Sequence, residues 1–405
     1  MIPVCLIQDT EAGGWREFRD ARDIIVITHP EEVLPALQNI ERRVQSKGLW
    51  AAGFISYEAG PAFDPAIRSR PPSELPLLWM GLFGPPQLIQ LPEIPSSATV
   101  PHYEWTPSIT RGEYEQAISR IRQLISAGDT YQVNYTLRLR ARLEEAPWAL
   151  FLRMVHANQP RHSAYLDCGR FVVCSASPEL FFRLDAGRLT SRPMKGTAAR
   201  GLSPQWDQEK SIELRQSQKN RAENLMVVDM VRNDFGRIAH VGSVQVPQLF
   251  ELERYPTLWQ LTSTVTAHSS ATVCEIMQAL FPAASITGAP KTHTTGIISE
   301  LETTPRGVYT GCIGFIAPGR SAQFNVAIRT ATVDRADDCV EYGVGGGIVW
   351  DSTSQSEYEE CLLKARIVTD TPPDFALLET LPGMVSAGGA PKPAGCVGRL
   401  SGCSA

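Results

Sequence analysis

The stretch that decides the fold is residues 110–139, which read TRGEYEQAISRIRQLISAGDTYQVNYTLRL. Thr110 and Glu113 have the spacing of a capping box, and apolar side chains then recur at helical spacing. Gly128 stands where a left-handed residue commonly ends a helix. Polar and apolar residues then alternate, which is the period of a strand with one buried face. The segment therefore predicts a helix over 111–127 followed directly by a strand.

Outside this segment, hydrophobic periodicity marks further elements on both sides. Helices are predicted at 30–47, 205–235, 271–281 and 354–368, and strands at 24–27, 171–173, 312–317, 324–333 and 340–344. Because these strands do not alternate regularly with helices, their order favours an α+β fold with large sheets over a doubly wound nucleotide-binding fold.

The chain divides into five segments by composition and pattern. We expect an N-terminal half-module at 1–83, a proline-rich extended connection at 84–105 and a catalytic region at 106–370, followed by a short segment at 371–381 and a tail at 382–405. The tail is rich in glycine and proline and lacks acidic residues and apolar periodicity. It is therefore predicted to be disordered.

Composition and charge exclude several classes of protein. Of the 405 residues, 43% are hydrophobic and 20% are charged, which is typical of a globular protein with a large core. The formal net charge of −5 argues against broad electrostatic binding to nucleic acid or anionic membranes. No apolar run approaches the ~20 residues needed to span a bilayer, and residues 1–11 lack the order of a secretory signal. A cytoplasmic location is therefore expected.

Motifs for zinc, disulfide and phosphate sites are missing from the sequence. The nine cysteines form no Cys-x-x-Cys pair and have no adjacent histidine, so buried free thiols are predicted. Gly345, Gly346 and Gly347 follow a predicted strand but lack the G-x-G-x-x-G spacing, and no P-loop motif occurs. These glycines indicate either a tight turn or a close approach of backbone amides to a ligand.

Acidic residues on two predicted helices are candidates for a metal site. Glu357, Glu360 and Lys364 lie at i, i+3 and i+7, so that they project from one helix face. Two carboxylates on one face suit a hard cation such as Mg²⁺. The simpler alternative is that Glu357 forms a capping box with Ser354 while Glu360 pairs with Lys364. Glu223, on another predicted helix, is either a metal ligand or a solvated surface charge.

The order of several short motifs resolves what single residues leave open. The motifs resemble those of the chorismate-utilising enzymes, the family of anthranilate, aminodeoxychorismate, isochorismate and salicylate synthases. The matching runs, in the family's order, are YQVN at 131–134, SPEL at 177–180, PMKGT at 193–197, RAENLM at 221–226, RND at 232–234, SITGAPK at 285–291, AIRT at 327–330 and GGGI at 345–348. The run AAGFISYE at 51–58 looks like that of the aminodeoxychorismate branch.

The resemblance implies a fold and a set of residue roles. It implies two large antiparallel β-sheets packed as a sandwich with flanking helices. Glu223 and Glu357, with Glu360 beside them, would hold Mg²⁺, and the ion would bind the ring carboxylate of chorismate. Glu179 would be the general acid that protonates the departing C4 hydroxyl. The second carboxylate would be held by Arg329, Tyr309 and the amide of Gly345, and the pocket completed by Thr287, Thr197, Gln132 and Lys364.

Two positions favour the aminodeoxychorismate branch of the family. Isochorismate and salicylate synthases carry a lysine base where this sequence has Gln132, so addition of water is disfavoured. Anthranilate synthases carry alanine where this sequence has Lys195, whereas the aminodeoxychorismate branch carries lysine. Lys195 would add at C2 as the C4 hydroxyl leaves, and ammonia would then add at C4 and expel it. Desolvation and a nearby positive charge, from Arg192 or Mg²⁺, would keep the attacking amine neutral.

The resemblance also implies a partner and includes one departure. Ammonia would come from a separate glutamine amidotransferase subunit, since the sequence shows no Cys-His-Glu hydrolase module. Gln260 replaces a histidine that many family members carry and that is associated with pyruvate elimination in anthranilate synthases. The absence of that histidine fits a reaction that stops before pyruvate elimination. Residues 375–381 resemble the start of a lyase domain fused to some homologues, which favours a truncated fusion.

Two other functions stay open at this point. The first is anthranilate synthase component I, against which stand Lys195 and the missing N-terminal Leu-Leu-Glu-Ser signature of a tryptophan site. The second is a non-catalytic chorismate-binding or regulatory subunit. Against it stands the presence of Glu179, Lys195 and both glutamates of the implied metal site.

Overall fold

A computed structural model describes residues 5–92, 101 and 103–369 of the chain. Its strands are β1 Cys5–Asp9, β2 Gly14–Phe18, β3 Asp23–Ile27, β4 Trp50–Ile55, β5 Leu78–Phe83, β6 Gln87–Ile89, β7 Thr106–Pro107, β8 Gln132–Arg142, β9 Ala164–Asp167, β10 Phe171–Ser175, β11 Leu180–Asp185, β12 Arg188–Arg192, β13 Met194–Ala199, β14 Gln245–Arg254, β15 Leu258–His268, β16 Gly288–Ala289, β17 Cys312–Ala317, β18 Ser321–Val326, β19 Thr330–Asp334 and β20 Cys339–Ile348. Its helices are α1 Pro30–Lys47, α2 Gly60–Phe63, α3 Arg111–Ser126, α4 Pro147–Asn158, α5 Pro204–Gln216, α6 Gln218–Gly236, α7 Val273–Leu280, α8 Lys291–Leu301 and α9 Ser354–Thr369.

The strands form two ten-stranded antiparallel sheets. Sheet I runs β16-β8-β20-β19-β10-β9-β1-β2-β6, with β7 beside β8. Sheet II runs β13-β15-β12-β11-β18-β17-β4-β5-β3, with β14 beside β15. Strands from the first ninety residues extend both sheets, through β1 on β9 and β4 on β17. The α+β prediction is confirmed.

Three apolar clusters separate the layers of the molecule. One lies between the sheets and includes Phe18 and Leu166 of sheet I with Phe54 and Phe315 of sheet II. A second packs α1, α6 and α7 on the outer face of sheet II. A third packs α3, α4 and α9 on the outer face of sheet I. This arrangement is the predicted sandwich with flanking helices, since each element buries its apolar side against a neighbouring layer.

The helix and strand predicted from residues 110–139 are α3 and β8. Thr110 and Glu113 form the predicted capping box, and Gly128 is left-handed with φ +83°. The expectation of one buried face on β8 is wrong, because the polar face is buried as well. Arg138 on that face is 0% exposed and donates to Thr136 at 2.8 Å. The alternation separates an apolar core from a buried polar network, and not a core from solvent.

Two predicted elements are each divided in the structure. The helix expected at 205–235 is α5 and α6, because the side chain of Ser217 accepts a hydrogen bond from Asn220 N and starts a second helix. The strand expected at 324–333 is β18 and β19, which belong to different sheets. Between them Arg329 has a left-handed backbone, with φ +51°. Periodicity alone does not reveal a chain that crosses between sheets.

Several other expectations have a plain outcome. The strand at 312–317 and the helix at 30–47 are confirmed by β17 and α1. The tight-turn alternative for the three glycines is wrong, since they lie within β20 and pair with β8. Seven cysteines in the described residues are free thiols. No described helix is both long and apolar enough to cross a membrane. The predictions for 371–381 and 382–405 fall outside the described residues.

Candidate active site

One pocket lies where the ends of both sheets meet α6 and α9. Ten of the predicted site residues line it: Glu179, Lys195, Thr197, Glu223, Tyr309, Arg329, Gly345, Glu357, Glu360 and Lys364. They belong to β13, β20, α6 and α9 and to the loops that precede β11, β17 and β19. Segments nearly two hundred residues apart in the sequence therefore contribute to one cavity wall.

Lys195 reaches the pocket from a β-bulge. Met194 pairs with Thr262 and Thr197 with Gln260, so that two residues of β13 lie opposite one residue of β15. The second bulge residue, Gly196, has φ +95°, a conformation that favours glycine. A bulge redirects the side chain of its strand, and this bulge brings Lys195 to the pocket.

Alternate glycines on β20 leave room for the side chains opposite. Gly343, Gly345 and Gly347 share one side of the strand because side chains alternate along it. A Cβ on Gly343 would lie 2.2 Å from the ring of Tyr309, and a Cβ on Gly347 would lie 2.9 Å from Lys195 Nζ. The glycines are therefore needed for two pocket side chains to approach the strand this closely.

Two cationic groups of the pocket form no salt bridge among the described residues. Lys195 Nζ makes no hydrogen bond or ion pair there. Burial lowers the pKa of Lys195, an effect that Glu223, Glu179 and Glu360 oppose and Lys364 reinforces. Arg329 is 7% exposed; its Nη2 donates to Gln260 Oε1 at 3.4 Å, and its Nη1 is buried without a partner. An unpaired buried guanidinium nitrogen is costly unless a ligand accepts from it.

The carboxylates on α6 and α9 are, in contrast, accompanied by lysines. Lys219 Nζ lies 3.3 Å from Glu357 Oε1 and 4.0 Å from Glu223 Oε1. Lys364 Nζ lies 2.6 Å from Glu360 Oε1 and donates to the carbonyl oxygen of Gly345 at 2.8 Å. Burial raises and Lys364 lowers the pKa of Glu360, and the net pKa is below its ordinary value.

The capping alternative for α9 is half right. Glu360 does pair with Lys364, as the spacing indicated. The capping box with Ser354 is wrong, because Thr353 Oγ1 accepts from Ser356 N at 3.2 Å and α9 begins at Ser354. Glu357 instead accepts a hydrogen bond from Ser352 Oγ at 2.6 Å and lines the pocket.

Two carboxyl groups of the pocket have strongly raised pKa values. Burial raises the pKa of Glu179 to about 7, although Lys195 and Arg329 act in the opposite direction. Burial likewise raises the pKa of Glu223 to about 7, against the effect of Lys195 and Lys219. A carboxyl group with such a pKa can hold a proton near neutral pH and release it in a reaction.

Two predicted site residues are not on the pocket wall. The Thr287 hydroxyl is fully buried and donates to the carbonyl oxygen of Ala283 at 3.1 Å. Gln132 does not line the pocket, although its Nε2 lies on the same side of Gly347 as Lys195, and its Oε1 is buried without a partner. Arg192 does not supply the cation expected near Lys195, because it pairs with Glu251 and Glu253 at 2.9 and 3.0 Å.

The pocket also includes residues that sequence reasoning missed as site residues. They are Asn134, Lys219, Asn220, Ser285, Ile286, Ile328 and Tyr342. For Lys219 a signal was available, since it precedes Glu223 by four residues and therefore shares its helix face. Ser285, Ile286 and Ile328 lie on connecting segments, whereas Asn134, Asn220 and Tyr342 lie on β8, α6 and β20.

The acidic residues of the pocket are candidate ligands for a divalent cation. No group of three or more histidine, cysteine, aspartate or glutamate side chains is arranged to hold a metal within the described part of the chain. Lys219 lies between Glu223 and Glu357 instead. Three carboxylates on one pocket wall nevertheless have the chemistry that Mg²⁺ requires. They fit the ion chemically, provided that Lys219 moves away.

Comparisons with known proteins identify similar sequences. Aminodeoxychorismate synthase component 1 of Salmonella typhimurium is 40% identical over 258 residues, which cover 63% of this chain and 56% of that protein. Its counterpart in Bacillus subtilis is 34% identical over 325 residues, which cover 79% of this chain and 66% of that protein. The chain thus matches little more than half the length of the Salmonella protein.

Solved structures share the fold at lower sequence identity. Anthranilate synthase component I of Streptococcus pneumoniae matches with a TM-score of 0.75 and 23% identity, covering 91% of this chain and 93% of that one. The menaquinone-specific isochorismate synthase of Escherichia coli matches with a TM-score of 0.72 and 18% identity, covering 91% and 89%. A family model described as chorismate binding enzyme matches residues 3–370. Because that match spans most of the sequence, the chain belongs to the chorismate binding enzyme family.

Proposed function

We propose that the chain converts chorismate and ammonia to 4-amino-4-deoxychorismate, as the chorismate-aminating component of an aminodeoxychorismate synthase. The names of the relatives in Salmonella and Bacillus support this activity. The observation that carries the proposal is the partly buried amine of Lys195, which forms no salt bridge among the described residues and lines one pocket with Glu179. Desolvation lowers the pKa of Lys195 more than the nearby carboxylates raise it, which favours the neutral, nucleophilic amine.

Substrate binding follows from the charges that the pocket leaves unpaired. Chorismate carries two carboxylates, and Arg329 Nη1 is a buried donor without a partner. We assign one carboxylate to Arg329, with Tyr309 and the amide of Gly345 beside it. The other carboxylate belongs near Glu223, Glu357 and Glu360, where a bound Mg²⁺ would supply positive charge and hold it. Lys219 must leave Glu357 for that ion to bind.

The reaction is proposed as two allylic displacements. Lys195 Nζ bonds to C2 while the ring double bond shifts and the C4–O bond breaks, and Glu179 gives its proton to the departing hydroxyl. Ammonia then bonds to C4, the double bond shifts back, and the C2–N bond to Lys195 breaks. Glu179, with a pKa of about 7, is suited to donating the proton at neutral pH.

A second polypeptide is part of the proposal. The relatives are named component 1, which implies another component. We propose a glutamine amidotransferase in that role, supplying the ammonia that adds at C4. With ammonium salts in the assay, the amination step can be measured without that partner.

The deciding experiment is product analysis. The purified chain is incubated with chorismate, Mg²⁺ and ammonium chloride, and the mixture is divided between samples with and without aminodeoxychorismate lyase. We expect 4-aminobenzoate only in the sample with lyase. Anthranilate and pyruvate without lyase would overturn the assignment in favour of an anthranilate synthase. The absence of both products, with chorismate still bound, would indicate a non-catalytic binding subunit.

A further inference from the structure

The side chain of Gln260 connects the bulge that carries Lys195 to the guanidinium group of Arg329. It lies on β15 and is 4% exposed. Its Nε2 donates to the carbonyl oxygen of Gly196 at 2.8 Å, within the bulge that carries Lys195. Its Oε1 accepts from Thr197 Oγ1 at 3.3 Å and from Arg329 Nη2 at 3.4 Å.

These partners determine the orientation of the amide. Two donors meet the oxygen and one carbonyl meets the nitrogen, so that a flipped amide would oppose donor to donor. No charged side chain can reproduce this set. A carboxylate would face the carbonyl of Gly196 with an acceptor, and a cation would repel Arg329.

We propose that Gln260 is a positioning residue that holds the Lys195 bulge and orients Arg329 while adding no charge beside it. The amide leaves the positive charge of Arg329 available to the carboxylate of the substrate. The hydrogen bond to Gly196 limits the movement of the bulge and therefore of the Lys195 amine. The inference rests on the proposed function, because it takes chorismate as the ligand.

A matched control is available on the other side of the bulge. Asn224 Nδ2 donates to the carbonyl oxygens of Lys195 at 3.4 Å and Leu261 at 3.3 Å. Its own Oδ1 accepts from Ser263 Oγ at 2.6 Å, and Asn224 makes no hydrogen bond to Arg329. A change at Asn224 therefore loosens the bulge and leaves the surroundings of Arg329 as they are.

The test compares two variants of similar size, Gln260→Glu and Gln260→Met, with Asn224→Leu as control. Chorismate binding is measured by calorimetry without ammonia, and kcat and KM are measured with ammonium chloride. Gln260→Met loses the bonds to Gly196, Thr197 and Arg329 but adds no charge, so we expect kcat to fall about 10-fold and Kd to rise only about 3-fold. Gln260→Glu places a carboxylate beside Arg329, so we expect Kd to rise about 10- to 100-fold. Asn224→Leu should lower kcat and leave Kd within about 3-fold of wild type.

The outcomes separate this inference from the proposed function. Equal chorismate affinities in Gln260→Glu and Gln260→Met, with wild-type binding intact, would overturn the role assigned to Gln260. No chorismate binding by the wild-type chain would overturn the proposed function, and this inference with it. Melting temperatures identify any variant that does not fold. If Gln260→Met is one of them, Gln260→Asn, which keeps the amide but shortens its reach, replaces it and is expected to lower kcat in the same way.

Discussion

The two walls of the pocket differ in whether their charged side chains form salt bridges. On the α6 and α9 wall, carboxylates and lysines neutralise one another, as in the pair Glu360–Lys364 at 2.6 Å. On the wall formed by β13 and the loop before β19, Lys195 and Arg329 form no salt bridge among the described residues. Exposure differs as well, since the side chains of Glu360 and Lys364 are 35% and 25% exposed whereas Arg329 is 7% exposed.

The difference separates structural charges from charges kept for a ligand. A buried ion pair is compensated within the protein, and removing one partner destabilises the fold. A buried cation without a partner makes the fold less stable, so that its removal costs no stability. Substitutions on the α6 and α9 wall should therefore lower stability. Substitutions on the wall of β13 and the loop before β19 should lower activity or substrate binding instead.

The largest effect is expected for Lys195→Ala. The neutral amine is the proposed nucleophile, so kcat for amination should fall by at least about 10³-fold. Mass spectrometry of the wild-type chain mixed with chorismate should detect a covalent adduct that the variant lacks. Its melting temperature should not fall, because the substitution removes a partly buried cation that forms no salt bridge. Lys210→Ala, at an exposed lysine on α5 paired with Glu213, is the control. Full activity of the Lys195 variant would refute the nucleophile role.

The next effect concerns Glu179 and pH. If the protonated form of Glu179 is the general acid, kcat/KM should fall above pH 7. Glu179→Gln should have a kcat about 10² to 10⁴-fold lower, and its kcat/KM should not show the fall above pH 7.

Stability gives a second measurement on the same variant. Because the folded-state pKa lies above the unfolded value, the contribution of Glu179 to stability is present below about pH 4.3 and is lost as pH rises through about 7. Glu179→Gln should therefore be more stable than wild type at pH 8, by roughly 3 kcal/mol, and about equal at pH 4. Identical urea unfolding curves at pH 8 would contradict the raised pKa.

A smaller effect is expected for Arg329→Met. The variant loses the donor assigned to a substrate carboxylate, so Kd for chorismate should rise about 10- to 100-fold with little change in melting temperature. Calorimetric titration measures the Kd, and thermal unfolding measures the melting temperature. Unchanged affinity would show that the unpaired Nη1 does not contact the ligand.

The smallest effect, and the reverse signature, is expected for Lys364→Met. The variant leaves Glu360 and the carbonyl oxygen of Gly345 without their partner. Since both side chains are partly exposed, the free energy of unfolding should fall by only about 1 to 2 kcal/mol. Lys195→Met is the matched comparison and should not lower it. A similar loss in both variants would remove the distinction between the walls.

The sequence identified most of the residues of the pocket but not which of their charges are paired. Motif order placed Glu179, Lys195 and Arg329 in one predicted site, and the structure brings them to one cavity. Lys219 was missed although its spacing from Glu223 on α6 gave a signal, and the partners of Gln260 were missed because they depend on contacts between distant segments. The pairing of Lys219 with Glu357 joins α6 to α9 and could not be derived from spacing along a single helix.

Local chemistry decided what the sequence by itself determined: the capping box of α3, the alternation of β8, the spacing on α9 and the order of family motifs. The first three depend on neighbours within a few residues, and the motif order is read directly along the chain, so all four can be recognised from the sequence. Tertiary structure alone decided that the polar face of β8 is buried, that 324–333 crosses between sheets, and that Lys195 lies in a bulge without forming a salt bridge. Burial and charge pairing depend on which distant segments meet, and the free energy of those contacts sets the pKa values on which the proposed chemistry rests.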